Sequence, residues 1–416
     1  MNKKQKTIVI GGGAAGLMAA GRAAECGAEV LLLEKMGQTG RKIGISGKGR
    51  CNLTNSAKLT EFISHFGKNG KFLRHCFQSF FADDLVLFFE NKGLPLDTER
   101  GGRIFPRSGR ALDVVKVLNE WLAQKNVDVK KESPVSAVIV QDKKVRGVIC
   151  NRKKLPCDSV ILATGGKSYP RTGSSGDGYR LAKELGHTLS PLRPALVPLK
   201  CSDKRVTRLA GLSLRNINVR VYVNDKRKSQ EFGEITFTGS GVSGPVALTL
   251  SGMIVDYLNE SDRVSLSIDL KPGLSDTQLA NRLIRDFEKR NGEPIDSLLR
   301  GLIPFQLIDT CLESCEIPAD IDTRVFPASM RKRLAVWLKN FRFDISGFRG
   351  FNEAIVTAGG ISIKEINPKT MESKHIQGLF IVGELLDIQA DTGGYNLQAA
   401  FSTGWVAGSS QGGKVQ

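Results

Sequence analysis

Three short apolar runs end in glycine turns: Thr7–Ile10 before Gly11, Ser159–Ala163 before Gly165, and Leu379–Val382 before Gly383. A fourth, Val30–Leu33, ends at Glu34. Unbroken and mostly β-branched or leucine-rich, such runs predict strands buried on both faces, as in a parallel sheet. Between the first run and Val30, Ala14–Cys26 reads as a helix of small residues that Gly27 terminates. Val127–Val129, Val135–Val140 and Val145–Cys150 alternate as half-buried strands do, with a turn at Lys143–Lys144. Residues 61–92 and 111–125 place apolar side chains at helical spacing, such as Leu85, Phe88 and Phe89, or Val114, Val117, Leu118 and Trp121. A further helix is expected over Tyr179–Leu185, after the glycine-rich stretch 172–178.

From about Pro191 the pattern changes. Leu214–Val223, Glu234–Thr238 and Val264–Leu270 are strand-like. Pro272 to about Lys339 is helical, with Leu279, Leu283, Ile284 and Phe287 on one face and breaks at Pro294, Pro304, Pro318 and Pro327. Phe341–Ile345 returns to strand character.

The first turn has glycines at 11, 13 and 16, the G-x-G-x-x-G spacing, with Glu34 eighteen residues later at the end of the next run. Gly11 permits the turn, Gly13 lets backbone approach a pyrophosphate, and Gly16 lets helix and strand pack closely. The helix N-terminus offers free N–H groups to phosphate, and Glu34 can accept from a ribose diol. Lys3, Lys4 and Lys6 before an apolar stretch imitate a signal peptide, but the glycines interrupt its helix and the pattern runs on into Glu34. Near the other end, Gly378-Leu-Phe-Ile-Val-Gly-Glu384 is a strand and turn, and Asp391–Gln398 leads into a helix over Ala399–Ala407. A strand ending in Gly-Glu beside a helix N-terminus is how two-segment FAD domains close, so FAD rather than NAD is expected at Gly11. The fold class is therefore α/β: a Rossmann-like FAD-binding domain from 1–190 and 355–416, an inserted β-rich domain (191–270 and 340–354) and an inserted helical domain (271–339).

Composition adds two constraints. The eight cysteines include no C-x-x-C pair, and Cys311 and Cys315 lack a nearby histidine, so no metal site is expected. No apolar run approaches bilayer length, and reduced thiols in a cytoplasm are expected. The formal net charge is +18 over 416 residues, which favours a polyanionic partner, nucleic acid above all. The excess is concentrated: Arg41, Lys42, Lys48, Arg50, Lys58, Lys68, Lys71 and Arg74 face only Glu61, and Arg100, Arg103, Arg107 and Arg110 follow. Solubility alone would also account for such charge.

Residues 35–55 are too glycine-rich for a helix and are expected as a long functional loop. The phenylalanines at 77–81 and 88–89 are expected in the core rather than as base-stacking platforms. Gly239–Gly244 repeats the G-x-G-x-x-G spacing, with Pro245 suited to a first helical position. No βαβ unit follows it, so a packing turn is expected there instead of a second nucleotide site.

Together, GGGAAGLMAA (11–20), GRKIGISGKGRCNLTN (40–55), ATGG (163–166), GSGVSGP (239–245), VTAGGI (356–361) and GLFIVGELLDIQADTGGYNLQAAFSTG (378–404) resemble the bacterial BaiN-like NAD(P)/FAD-dependent oxidoreductases, distant relatives of fumarate-reductase-type flavoproteins. The resemblance covers nearly the whole chain. It implies that Gly11, Gly13, Ala14, Ala15 and Gly16 line the pyrophosphate, with Glu34 and Lys35 near the adenosine ribose. Arg41, Lys42, Ser46, Gly47, Arg50, Cys51 and Asn52 would form the loop beside phosphates and flavin. Val135 would contact adenine, and Thr164 and Gly165 the adenosine side. Gly383, Glu384, Asp387, Asn396 and Leu397 would surround the ribityl chain and ring.

Family activities include reduction of bile-acid C=C bonds, oxidation of amino ketones, and reduction of uridine to dihydrouridine in large-subunit ribosomal RNA; the last suits the basic excess. The expectation is an FAD-dependent oxidoreductase with NAD(P)H as reductant and a uridine of 23S rRNA as favoured substrate. A small-molecule oxidoreductase and an RNA-binding flavoprotein without turnover are the alternatives. Reducing uridine needs a proton donor as well as hydride. Cys51 is a candidate by the placement of its loop, although a merely buried loop residue is as good a reading; Tyr395 is a second. None of His65, His75, His187 and His375 sits in a flavin motif, so no catalytic histidine is expected.

Overall fold

The structure is a computed structural model describing residues 4–411; Lys3, one of the three lysines before the opening run, lies outside them. The chain divides into two compact units, 1–194 with 351–416, and 195–350.

In the first unit, β1 (Lys6–Ile10), α1 (Ala14–Glu25) and β2 (Glu29–Leu33) follow the apolar pattern. Five parallel strands lie in the order Leu379–Ile381, Ser159–Leu162, β1, β2, Asp128–Lys130. Val160 stands opposite Leu379, so the two distant chain segments complete one sheet. Val9, Leu32, Val160, Ile161, Leu162 and Ile381 are fully buried, which is why their runs show no alternation. The C-terminal helix Tyr395–Ser409 begins four residues before its expected start and packs on α1. A Cβ at Gly404 would lie 2.3 Å from the Ala15 carbonyl oxygen, and one at Gly408 2.6 Å from that of Ala19. Only glycine allows so close an approach. Phe77, Phe80 and Phe89 are buried in this unit's core, as expected.

One expectation fails here. Segment 35–55 is not loop throughout: Arg41–Gly49 forms a short helix, α2, that breaks at Ser46 (ψ 148°) and turns left-handed at Gly47 and Lys48 (φ 56° and 58°). Glycine lowers intrinsic helix propensity, but packing overrides it. Ile43 is buried, and a Cβ on Gly44 would already stand 3.2 Å from Leu112.

The second unit is a seven-stranded antiparallel sheet in the order Phe341–Ile345, Val264–Asp269, Ser213–Val223, Lys226–Thr238, Gly241–Ser243, Leu199–Lys200, Gly347–Phe348. Helices Pro245–Asn259, Asp276–Lys289, Ile308–Cys315 and Ala328–Lys339 share one hydrophobic core with it. The β-rich and helical segments thus pack as one compact unit. Leu279, Leu283 and Phe287 face that core, whereas Ile284 is 39% exposed and lies off the buried stripe. At the second glycine motif, a Cβ on Gly241 would lie 2.3 Å from the Leu199 carbonyl oxygen, and one on Gly244 3.0 Å from the Thr236 nitrogen. These glycines serve strand packing in an antiparallel sheet.

Candidate active site

The three glycines of the first turn divide the work. Gly11 has φ 104°, and a Cβ there would lie 2.6 Å from the Ala163 carbonyl oxygen. At Gly16 a Cβ would lie 1.8 Å from the Gly11 carbonyl oxygen, so α1 rests directly on the turn. Gly13 is the N-cap, with nothing within 4 Å of a built Cβ and no side chain capping the helix. The first-turn N–H groups thus lie at the positive end of the helix dipole with no side-chain cap at Gly13.

Glu34 is buried beside this turn, accepting from the Gly12 nitrogen at 2.7 Å and the Met36 nitrogen at 2.8 Å. Each oxygen retains acceptor capacity for a sugar hydroxyl. Lys35 binds Asp177 at 2.6 Å and also meets Ser175, tying the 172–178 turn to the end of β2. Burial opposes charge on Asp177, but the Lys35 hydrogen bond and charge hold its carboxyl below the ordinary value. Gly165 is left-handed (φ 72°), and Thr164 sits beside it at the end of the Ser159–Leu162 strand. Val135, half-buried, opens the strand Val135–Gln141 two residues after Ser133 donates to the Glu34 carbonyl at 2.9 Å.

The C-terminal turn converges on the same place. Gly383 (φ 70°) would put a Cβ 2.9 Å from Ala15, and its N–H donates to Thr403 Oγ1 at 3.0 Å. Glu384 is the hub of a part-buried network. Its Oε1 accepts from the Thr357 nitrogen (2.8 Å) and Ser168 Oγ (2.9 Å), and its Oε2 accepts from Lys42 Nζ (2.8 Å). Lys42 and Glu384, both expected at the cofactor, therefore meet each other. Asp387 accepts from Ser190 Oγ at 2.8 Å. The Asn396 amide accepts from the Ala390 nitrogen and donates to the carbonyls of Ala390 (2.9 Å) and Asp391 (3.2 Å), pinning the loop before the helix; Leu397 is half-buried beside it.

The 40–55 segment closes against that loop. Arg41 is exposed and donates to the Arg171 carbonyl at 3.1 Å; Ser46 Oγ donates to the Ile43 carbonyl at 2.7 Å. Left-handed Gly47 brings the chain round to Asn52. Arg50 pairs with Glu99 and lies 4.4 Å over the Phe105 ring. A Cβ on Gly394 would stand 2.4 Å from the Thr54 carbonyl oxygen. Asn55 Nδ2 donates both to the Gly393 carbonyl at 3.1 Å and to the Gly101 carbonyl at 3.0 Å. Asn55 thus joins the cradle to the exposed arginine-bearing hairpin Leu96–Glu99/Arg103–Pro106.

Cys51 is fully buried and left-handed (φ 61°), and burial pushes its thiol up to about 12. Of the eight cysteines only Cys26 is half-exposed. In the folded protein at pH 8, Cys26 is expected to take a thiol reagent in seconds to minutes, with the other seven reacting only after denaturation. Peptide mapping checks this, and rapid labelling of Cys51 would contradict the burial described.

Tyr395 is also buried, edge-on to Phe62 (4.7 Å) and stacked on His65 (3.9 Å, 19° between planes). Burial, with Glu61 and Asp391 adding to it, pushes its phenol above the ordinary value. His65 Nδ1 lies 3.0 Å from Asp391 Oδ2. Sequence reasoning passed over this histidine because its partners are over 300 residues away and no local spacing joins them.

His187, Glu365 and His375 also gather within metal-ligand reach. Ser373 Oγ accepts the backbone N–H groups of His375 and Ile376 (3.1 Å each), so its proton goes to His187 Nε2 at 3.0 Å. Nδ1–H then donates to Glu365 at 2.9 Å, and burial lowers the ring's pKa against the opposing pull of the Glu365 carboxylate. That arrangement is a complete hydrogen-bond bridge.

The cradle fits a bound dinucleotide. Asn52 Oδ1, Thr54 Oγ1 and Thr164 Oγ1 are buried with no hydrogen-bond partner among the described residues, and buried polar atoms are normally paired. The uncapped α1 N-terminus and the empty space before Gly13 stand with them.

The family described as HI0933-like protein Rossmann domain matches residues 5–410. The chain is 35% identical over 410 residues to the 3-dehydro-bile acid delta(4,6)-reductase of Clostridium scindens, covering 96% of this chain and 97% of that protein. It is 30% identical over 412 residues to the ribosomal RNA dihydrouridine synthase of Haemophilus influenzae, covering 98% of each. The open conformation of a flavocytochrome c3 fumarate reductase shares the fold, with TM-score 0.53 at 18% identity over 99% of this chain and 78% of that one. No helix among the described residues is long and apolar enough to cross a membrane. The chain belongs to the HI0933-like Rossmann family and is a flavoprotein oxidoreductase built around FAD.

Proposed function

We propose that this protein reduces a C=C bond conjugated to a carbonyl, with a uridine of 23S ribosomal RNA as favoured substrate and NAD(P)H as the source of electrons. The observation that supports the chemistry is that two full-length relatives are named for one kind of reaction. One is a delta(4,6)-reductase of a 3-dehydro-bile acid, the other a dihydrouridine synthase. Uridine carries its C5=C6 bond in conjugation with a carbonyl, as an enone does.

When bound, reduced FAD supplies the hydride. The chain's own residues hold and enclose it. The α1 N-terminus at Gly13–Gly16 receives the pyrophosphate, Glu34 takes the ribose, and Thr164, Asn52 and Thr54 gain partners for their buried oxygens. The RNA reading is favoured by the hairpin that Asn55 ties to this cradle. Arg100, Arg103 and Arg107 are exposed on it, and Lys48 and Arg50 are exposed nearby in sequence to Asn55. Such side chains suit phosphates, with affinity that falls steeply with salt. The small-molecule reading is favoured by the higher identity to the bile-acid reductase.

Dihydrouridine in 23S rRNA from cells with and without the gene separates the two. The RNA reading expects loss of one dihydrouridine on deletion, restored in vitro by the protein with FAD and NAD(P)H. Unchanged dihydrouridine, with turnover of a steroid-like enone, would establish the small-molecule reading.

A further inference from the structure

We propose that His65, oriented by Asp391, delivers the proton that completes C=C reduction; this rests on the reading in the preceding section. The segment 55–69 clasps the cofactor-side loop at three points. Asn55 donates to the Gly393 carbonyl (3.1 Å), His65 meets Asp391 (3.0 Å), and Asn69 donates to the Asp387 carbonyl (2.6 Å). Asn55 and Asn69 bind backbone and serve only to hold the loop. His65 binds a carboxylate, and a carboxylate can only accept, so Nδ1 carries the hydrogen.

Nε2 is then the nitrogen left to carry and release a proton, and among the described residues it makes no hydrogen bond. The ring is fixed by stacking on Tyr395, which is itself wedged against Phe62. The imidazole side chain keeps 28% of its surface exposed, so it can be reprotonated from water. An imidazole oriented by a carboxylate at one nitrogen and open at the other is the arrangement that general acid–base chemistry uses. Cys51 lacks this access, being fully buried with its thiol held neutral.

The step balances as follows. A hydride, which bound reduced FAD would supply, would form a C–H bond at the carbon β to the carbonyl. The π pair moves to the α carbon, and the Nε2 proton of doubly protonated His65 forms the second C–H bond there. His65 is left neutral with its proton on Nδ1, and solvent restores Nε2. The groups facing the ring are Asp391, Tyr395 and, beyond Tyr395, Glu61.

Anaerobic half-reactions test this in the flavin-loaded protein. His65→Gln is expected to leave flavin reduction by NAD(P)H within about two-fold of wild type while slowing reoxidation by the C=C acceptor about 100-fold or more. Tyr395→Phe keeps the stacked ring and removes only the hydroxyl; it is expected to slow reoxidation no more than a few-fold. Reoxidation in His65→Gln at the wild-type rate overturns the proposal, and so does a loss in Tyr395→Phe as large as in His65→Gln.

A readout without turnover comes from nitrogen-15 NMR of the flavin-free protein. His65 should show the Nδ1–H tautomer when neutral, and Asp391→Ala, which removes the acceptor, should abolish that preference while the melting temperature holds. A free mixture of tautomers in wild type overturns the dyad. Failure of the underlying reading looks different: wild-type reduced protein then leaves both uridine and enone untouched, and the donor role falls with it.

Discussion

Gly16→Val is expected to abolish flavin binding and to cost about 3 kcal/mol or more of stability, because overpacking against rigid backbone cannot relax. A Cβ at this position meets the Gly11 carbonyl at 1.8 Å, and the valine methyls have no free direction. The informative comparison is Gly13→Ala. Its backbone is extended (φ −85°, ψ −169°), which alanine adopts freely, and its Cβ meets nothing within 4 Å. Loss of stability there should be only about 0.5–1 kcal/mol, from the weaker helix cap. The added methyl does occupy the approach to the first-turn N–H groups, so FAD affinity should fall about tenfold or more, equivalent to about 1.4 kcal/mol. Urea unfolding of the flavin-free proteins and FAD titration separate the effects. Normal FAD affinity in Gly13→Ala would place the pyrophosphate elsewhere.

The second large effect is expected at Glu384. Its carboxylate is acceptor to the Thr357 nitrogen, Ser168 Oγ and Lys42 Nζ at once. Glu384→Ala leaves an ammonium and an N–H short of a partner in a site where Lys42 is 26% and Glu384 19% exposed. That should cost about 3 kcal/mol, the low end of the range for a fully buried pair because water reaches the lysine. Glu384→Gln keeps an oxygen for Thr357 and Ser168 but turns an NH2 toward the Lys42 ammonium, donor against donor, so the charge and the hydrogen bond to Lys42 are both lost, for about 2 kcal/mol. Equal losses in both variants would assign the whole effect to the ion pair, and no loss in either would remove Glu384 from the list of groups that build the cradle.

How far the sequence carried this account depends on whether a feature is local. The first glycine turn was legible because its reasons are local: Gly11 takes a left-handed backbone angle, Gly16 meets the Gly11 carbonyl five residues back, and Gly13 leaves the helix N-terminus open to approach. The parallel strands were legible because full burial erases alternation. Gly241 and Gly244 were legible as packing positions from the absence of a βαβ unit around them. The short helix Arg41–Gly49 was not, since its propensity is poor and its support comes from Leu112, far along the chain.

The Lys42–Glu384 pair lay beyond local reading as well. The resemblance placed both residues at the cofactor, but that they bind each other spans 342 positions. His65 was missed for the same reason. Its chemistry exists only once Asp391 and Tyr395 fold onto it from the other end of the chain.

The central claim is that the cradle built from both chain segments holds a flavin that reduces a conjugated C=C bond. The most direct measurement mixes anaerobically reduced, FAD-loaded protein with a 23S rRNA fragment and, separately, with a steroid-like enone, while following flavin absorbance and product mass. Flavin reoxidation is expected to be matched by a gain of two hydrogens in one of the two acceptors, uridine being the favoured one. Flavin that stays reduced against both, yet is reoxidised promptly by dioxygen, would contradict it.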